Sequence, residues 1–98
     1  VQNRKNKKWY DVPFNKNAII VNTGLALEYL SMGKFKETNH RVLWNKTKRL
    51  SVPFFFEPSY DFKMSTSFLN DTSNNADKGV VFEKFLKKSL KKFIEYQR

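Results

Sequence analysis

His40 is the only histidine in the chain. A neutral imidazole can ligate a transition metal, although a lone histidine is more often structural than chemical. Its neighbours raise the chemical reading. His40 lies early in a predicted strand over residues 38–43, and residues 49–56 predict a returning strand after the turn chemistry of Asn45-Lys46-Thr47-Lys48. Antiparallel pairing would bring the imidazole and the Arg49 guanidinium to one region of a sheet. With period-two alternation, Arg49, Ser51, Pro53, Phe55 and Glu57 share one face, and Leu50, Val52, Phe54 and Phe56 the other. The second face is wholly apolar and suits packing. The first combines a cation, a hydroxyl, a ring and a carboxylate, which reads as a pocket wall. A guanidinium fork can bind both oxygens of a carboxylate, and a hydroxyl two residues on adds a third hydrogen bond. A carboxylate anchor beside a metal ligand is what a chelating 2-oxo acid requires. The competing reading of Arg49 is a surface cation on an edge strand.

The elements that must position these groups follow from local pattern. Residues 1–4 and 8–12 predict a hairpin with its turn at Lys5-Asn6-Lys7, ended by Pro13. Residues 18–22 form a β-branched run suited to a strand covered on both faces. Thr23-Gly24 breaks it, and residues 25–31 predict two helical turns, with Leu27 and Leu30 on one side and Gly33 as the stop. Pro53 should sit where its missing N–H is not needed, and Pro58 ends the pairing. Phe54 and Phe56 are expected in the core, where truncation of either to Ala would cost about 3–5 kcal/mol. Residues 65–77 are polar and read as a loop. Phe82, Phe85, Leu86, Leu90, Phe93 and Ile94 then recur at helical spacing with lysines on the other faces, which predicts a helix packed outside a sheet, with Asp77 as its N-cap. The late lysines suit the negative end of its dipole.

Composition limits the function classes. Ninety-eight residues, 40% of them hydrophobic, allow one domain at most. Cysteine is absent, which excludes a disulfide framework and a thiolate zinc site. No apolar run approaches the roughly 20 residues needed to cross a bilayer, so no membrane partner is expected. The net charge of +10 could suggest a polyanion partner, but it comes mostly from lysines among asparagines, which solvate surfaces; a nucleic-acid partner is not expected. The chain opens on Val1-Gln2-Asn3-Arg4-Lys5, with neither an initiator Met nor a signal-peptide pattern. It reads as the middle of a longer, cytoplasmic protein.

Four stretches resemble the C-terminal half of the isopenicillin N synthase-like branch of the iron(II)/2-oxoglutarate-dependent oxygenases. They are Trp9-Tyr10-Asp11-Val12-Pro13, Ile20-Val21-Asn22-Thr23-Gly24, residues 33–42 ending in His40-Arg41-Val42, and Arg49-Leu50-Ser51-Val52-Pro53-Phe54-Phe55-Phe56-Glu57-Pro58. The resemblance implies a mainly β chain with a C-terminal helix, part of a double-stranded β-helix or jelly roll. Residues 1–62 would be its strands, 63–79 a loop and 80–97 the packing helix. It implies that His40 is the distal histidine of a 2-His-1-carboxylate triad holding Fe(II). Arg49 and Ser51 would bind the far carboxylate of 2-oxoglutarate, and Phe55 and Glu57 would line the pocket of a small-molecule substrate. O2 would be the co-substrate, and the iron would perform the hard chemistry while the protein positions and isolates it.

Two departures stand out. Leu25 replaces the acidic residue that usually follows the glycine of Asn22-Thr23-Gly24. The family's His-x-Asp/Glu motif, source of the other two ligands, is absent. The N-terminal part of the same chain is therefore an expected partner, and this segment alone is expected to be inactive. An open sheet edge would also invite self-association. Two alternatives stand beside this reading: a basic, non-enzymatic binding module, and a degenerate oxygenase that keeps the fold as a scaffold.

Overall fold

The computed structural model describes residues 1–43, 48–66 and 78–92. Four short elements run in the order α1 (Leu25–Leu30), β1 (Lys63–Met64), β2 (Val80–Val81) and α2 (Phe82–Leu90). β1 and β2 pair antiparallel, Lys63 opposite Val81 and Met64 opposite Val80. α2 follows β2 without a linker, so the ribbon and the helix form one unit. Met64 and Phe82 are its buried apolar residues. Tyr60 stacks on Phe82 with ring centroids 6.3 Å apart, and Tyr29 of α1 meets Phe85 of α2 at 5.5 Å. No helix among the described residues is long and apolar enough to cross a membrane.

The end of α1 and the start of α2 have traceable causes. α1 closes where Gly33, at φ 78°, donates its N–H to the Glu28 carbonyl at 2.8 Å, as its sequence position predicts. Ser31, buried beneath this turn, accepts the Phe35 N–H at 3.0 Å. α2 starts differently from expectation. Its N-cap is Val81, with no side-chain cap, and Asp77 lies outside the described residues. The first amides of α2 find backbone acceptors instead: Phe82 N–H donates to the Phe62 carbonyl at 2.9 Å and Glu83 N–H to Tyr60 at 3.0 Å. Orphan donors at a helix start need such partners, and here tertiary contact supplies them.

The strands expected of a mainly β chain are formed only in small part among the described residues. The predicted strands over 18–22, 38–43 and 49–56 are not strands among the described residues, and residues 63–64, expected in a loop, are β1. The expected hairpin at the start is reduced to one bridge, Gln2 opposite Trp9, with its turn at residues 4–6 and Lys7 at φ 60°. A strand exists only where another backbone satisfies its amides and carbonyls, and β propensity reports a preference for a half-buried sheet surface that must be provided. Phe54 and Phe56, expected in the core, are 87% and 95% exposed. The radius of gyration of 16.4 Å exceeds the roughly 13 Å of a compact domain of this length. The expected turn at Asn45-Lys46-Thr47, most of the 65–77 loop, and Phe93 and Ile94 lie outside the described residues.

Candidate functional site

The segment that carries His40 is held without a sheet. Glu37 N–H donates to the Glu28 carboxylate at 2.6 Å, and the Glu37 carbonyl accepts Arg4 Nε at 3.0 Å. Thr38 N–H donates to the Thr23 carbonyl at 2.9 Å, and the two threonine hydroxyls meet at 2.9 Å. The Asn39 carbonyl accepts Gln2 N–H at 2.9 Å. These backbone groups are therefore satisfied in turn by α1, by residues before it and by the chain's first residues.

Charge reinforces that scaffold. Arg4 lies 3.3 Å from carboxylate oxygens of both Glu28 and Glu37, and Lys36 lies 3.4 Å from Glu28. The Glu28 carboxyl is held below its ordinary value, first by the Glu37 amide and then by Lys36 and Arg4, against an opposing cost of desolvation. Neither Glu28 nor Arg4 was singled out by the sequence, because a helix glutamate and a turn arginine look like solvated charges until the fold joins them.

His40 itself is exposed. Its Nδ1 lies 2.8 Å from the Thr38 carbonyl oxygen. A carbonyl oxygen can only accept, so Nδ1 carries the hydrogen and, in the neutral ring, Nε2 keeps its lone pair. A backbone carbonyl on one ring nitrogen is a usual arrangement for a histidine that ligates a metal through the other. Immediately after it, the Arg41 guanidinium carbon lies 4.0 Å from the centroid of the Trp9 ring.

The second predicted cluster is not assembled in the same way. Arg49, Ser51, Phe55 and Glu57 are all exposed, as are Leu50, Val52, Phe54 and Phe56 on the other predicted face, so the expected division into packed and pocket faces is absent. Among the described residues, no hydrogen bond or ion pair joins His40 to Arg49 or Ser51. Three or more potential ligands among His, Cys, Asp and Glu do not gather anywhere among them.

The model of the 2OG-Fe(II) oxygenase superfamily matches residues 1–58, more than half of the chain and the whole of the region just described. The chain belongs to this superfamily. It is 48% identical over 65 residues to a flavonol synthase/flavanone 3-hydroxylase of Solanum tuberosum, which covers 65% of this chain and 19% of that protein. It is 32% identical over 84 residues to 1-aminocyclopropane-1-carboxylate oxidase 3 of Arabidopsis thaliana, covering 85% and 26%. A 2-oxoglutarate-dependent dioxygenase, citB of Monascus ruber, is 38% identical over 65 residues, covering 65% and 20%. The chain thus spans about a fifth to a quarter of the length of the curated relatives it matches. No solved structure matches it.

Superfamily membership implies the jelly-roll fold and the use of Fe(II), 2-oxoglutarate and O2. Of that fold, the described residues of this oxygenase segment form one ribbon and two helices. The donor chemistry of the segment fits part of an iron site. One imidazole, with its Nδ1 already engaged and Nε2 available, suits a single position on the metal. Arg49 and Ser51 suit an anionic oxygen ligand by type.

Proposed function

We propose that this chain supplies the distal iron ligand and the 2-oxoglutarate anchor of a dioxygenase that oxidises a small organic substrate. His40 Nε2 is the ligand. The Thr38 carbonyl fixes the ring's tautomer and orientation, and the network of Arg4, Glu28, Glu37 and Thr23 holds the backbone on which His40 sits. Arg49 and Ser51 hold the far carboxylate of 2-oxoglutarate, the guanidinium by a paired hydrogen bond and the hydroxyl by a third. Phe55 and Glu57 line the substrate pocket. When bound, iron supplies the oxidation of substrate coupled to decarboxylation of the 2-oxo acid, and the protein's part is to bind, orient and exclude water. With one histidine and no His-x-Asp or His-x-Glu, the segment alone is inactive, and the remaining ligands come from another part of the protein.

The observation that carries the reading is the Nδ1 contact of His40 with the Thr38 carbonyl, which leaves Nε2 as the available donor. It supports the sequence motif on a point of chemistry independent of it. The test is succinate formation from 2-oxoglutarate by the full-length protein with Fe(II). His40→Ala should abolish turnover. Arg49→Leu should raise the apparent KM for 2-oxoglutarate by at least tenfold, corresponding to the loss of about 1.4 kcal/mol or more of carboxylate binding. Turnover that survives His40→Ala, or a KM unmoved by Arg49→Leu, overturns the corresponding assignment.

A further inference from the structure

His40 is flanked on both sides by residues gripped from a single element. Asn39, before it, exchanges contacts with Gln2: the Gln2 N–H donates to the Asn39 carbonyl at 2.9 Å, and Asn39 Nδ2 donates to Gln2 Oε1 at 3.2 Å. Arg41, after it, lies over the Trp9 ring at 4.0 Å. Gln2 and Trp9 are themselves opposite one another across the bridge at the start of the chain. That bridge is closed by the Asn3 N–H on the Lys8 carbonyl at 2.9 Å and by the Tyr10 N–H on Val1 at 2.8 Å. The hairpin therefore grips the residues on either side of His40 while leaving the imidazole itself exposed.

We propose that Trp9 is a positioning residue for His40 that acts through the Arg41 guanidinium stacked on its ring. The inference rests on the reading of His40 as an iron ligand. A metal ligand must be held to within a fraction of an ångström; groups bonded directly to the ligand change metal affinity by about 10–100-fold, and a group one step further out changes it by less. The Thr38 carbonyl fixes the ring about its own axis. It does not fix the backbone that carries the ring, because Thr38 and His40 belong to the same short segment. The hairpin does so from outside that segment. A planar guanidinium over an indole face can hold such a position, because the contact is directional. It also restrains Arg41, whose long side chain is otherwise free on the surface. Gln2 on the other flank holds the second point needed to stop the segment from pivoting.

The test uses the full-length protein, stripped of metal and titrated with Co(II) alone, with the 15N signals of the His40 imidazole as a second readout. Trp9→Ala and Arg41→Met should each weaken Co(II) binding about 3-fold. The double variant should lose no more than either single one, because the two side chains form one contact. Trp9→Phe, which keeps an aromatic face, should restore most of the affinity. The His40 imidazole signals should broaden in Trp9→Ala and sharpen again in Trp9→Phe, while Nδ1–H stays on the Thr38 carbonyl. Should Trp9→Ala fail to fold, Arg41→Met at an exposed position carries the same test. Losses that multiply in the double variant would show two separate effects and overturn the inference. So would wild-type Co(II) affinity in Trp9→Ala or Arg41→Met alongside its loss in His40→Ala. A His40→Ala protein that binds Co(II) as the wild type does would overturn the ligand assignment, and this inference with it.

Discussion

Phe82 and Phe56 are the same residue in stretches of comparable apolarity, yet Phe82 is 2% exposed and Phe56 is 95% exposed. The difference lies in what each meets. Phe82 opens α2 directly after β2, its amide on the Phe62 carbonyl and its ring against Tyr60. Phe56 belongs to a run in which both alternating faces are exposed and no ladder forms among the described residues. Hydrophobicity supplies a drive to be covered, but the covering surface has to come from another element. The chain provides one for α2 and provides none among its described residues for 49–57. The residues proposed to carry the superfamily's chemistry divide along the same line: His40 sits on a segment tied to two other parts of the chain, whereas Arg49 and Ser51 sit on the uncovered run.

The contrast is open to direct measurement. The largest expected effect is Phe82→Ala, which should cost about 3–5 kcal/mol in urea unfolding of this chain, while Phe56→Ala should stay within about 0.5 kcal/mol. Equal losses at the two positions would show that the run is covered in solution and remove the distinction. An intermediate effect is expected at the scaffold under His40. Glu28→Ala deletes the acceptor of the Glu37 amide and the partner of Arg4 and Lys36, and should cost about 1.5–3 kcal/mol. Because the folded carboxyl lies below its unfolded value, this contribution is complete above the ordinary glutamate range and is lost as pH falls through the lowered folded value. Wild type and Glu28→Ala should therefore converge in stability under acid, and a constant gap across that range would contradict the network. The smallest effect belongs to Lys87→Ala. Its pair with Glu83 spans 2.6 Å one turn apart on the outer face of α2, but it is solvated, and the urea midpoint should not move measurably at moderate salt.

Parts of this outcome were legible in the residues. The two turns of α1 and its Gly33 stop follow from local pattern, because a helix satisfies its own backbone and a glycine at positive φ closes it without help. The apolar spacing of α2 was legible for the same reason. The start of α2 was not: Asp77 is the better cap by type, but the carbonyls of Tyr60 and Phe62 reach the first amides, and only the folded ribbon puts them there. The strands over 38–43 and 49–56 were misread because alternation and β-branching describe a surface that could join a sheet, and say nothing of whether a neighbour exists. His40 stands out as a candidate ligand by type and motif. Its tautomer was not legible, since it depends on where the Thr38 carbonyl falls.

The residue order by itself therefore determined the superfamily, the identity of the metal-ligating and carboxylate-binding candidates, and the helices whose hydrogen bonds are local. Tertiary structure alone decided which apolar residues are buried, which carbonyls complete α2, and that Trp9 lies under the Arg41 guanidinium beside the imidazole. The physical reason is the range of the interactions. A helix closes its bonds within four residues, whereas burial, stacking and strand pairing require two distant parts of a chain to meet.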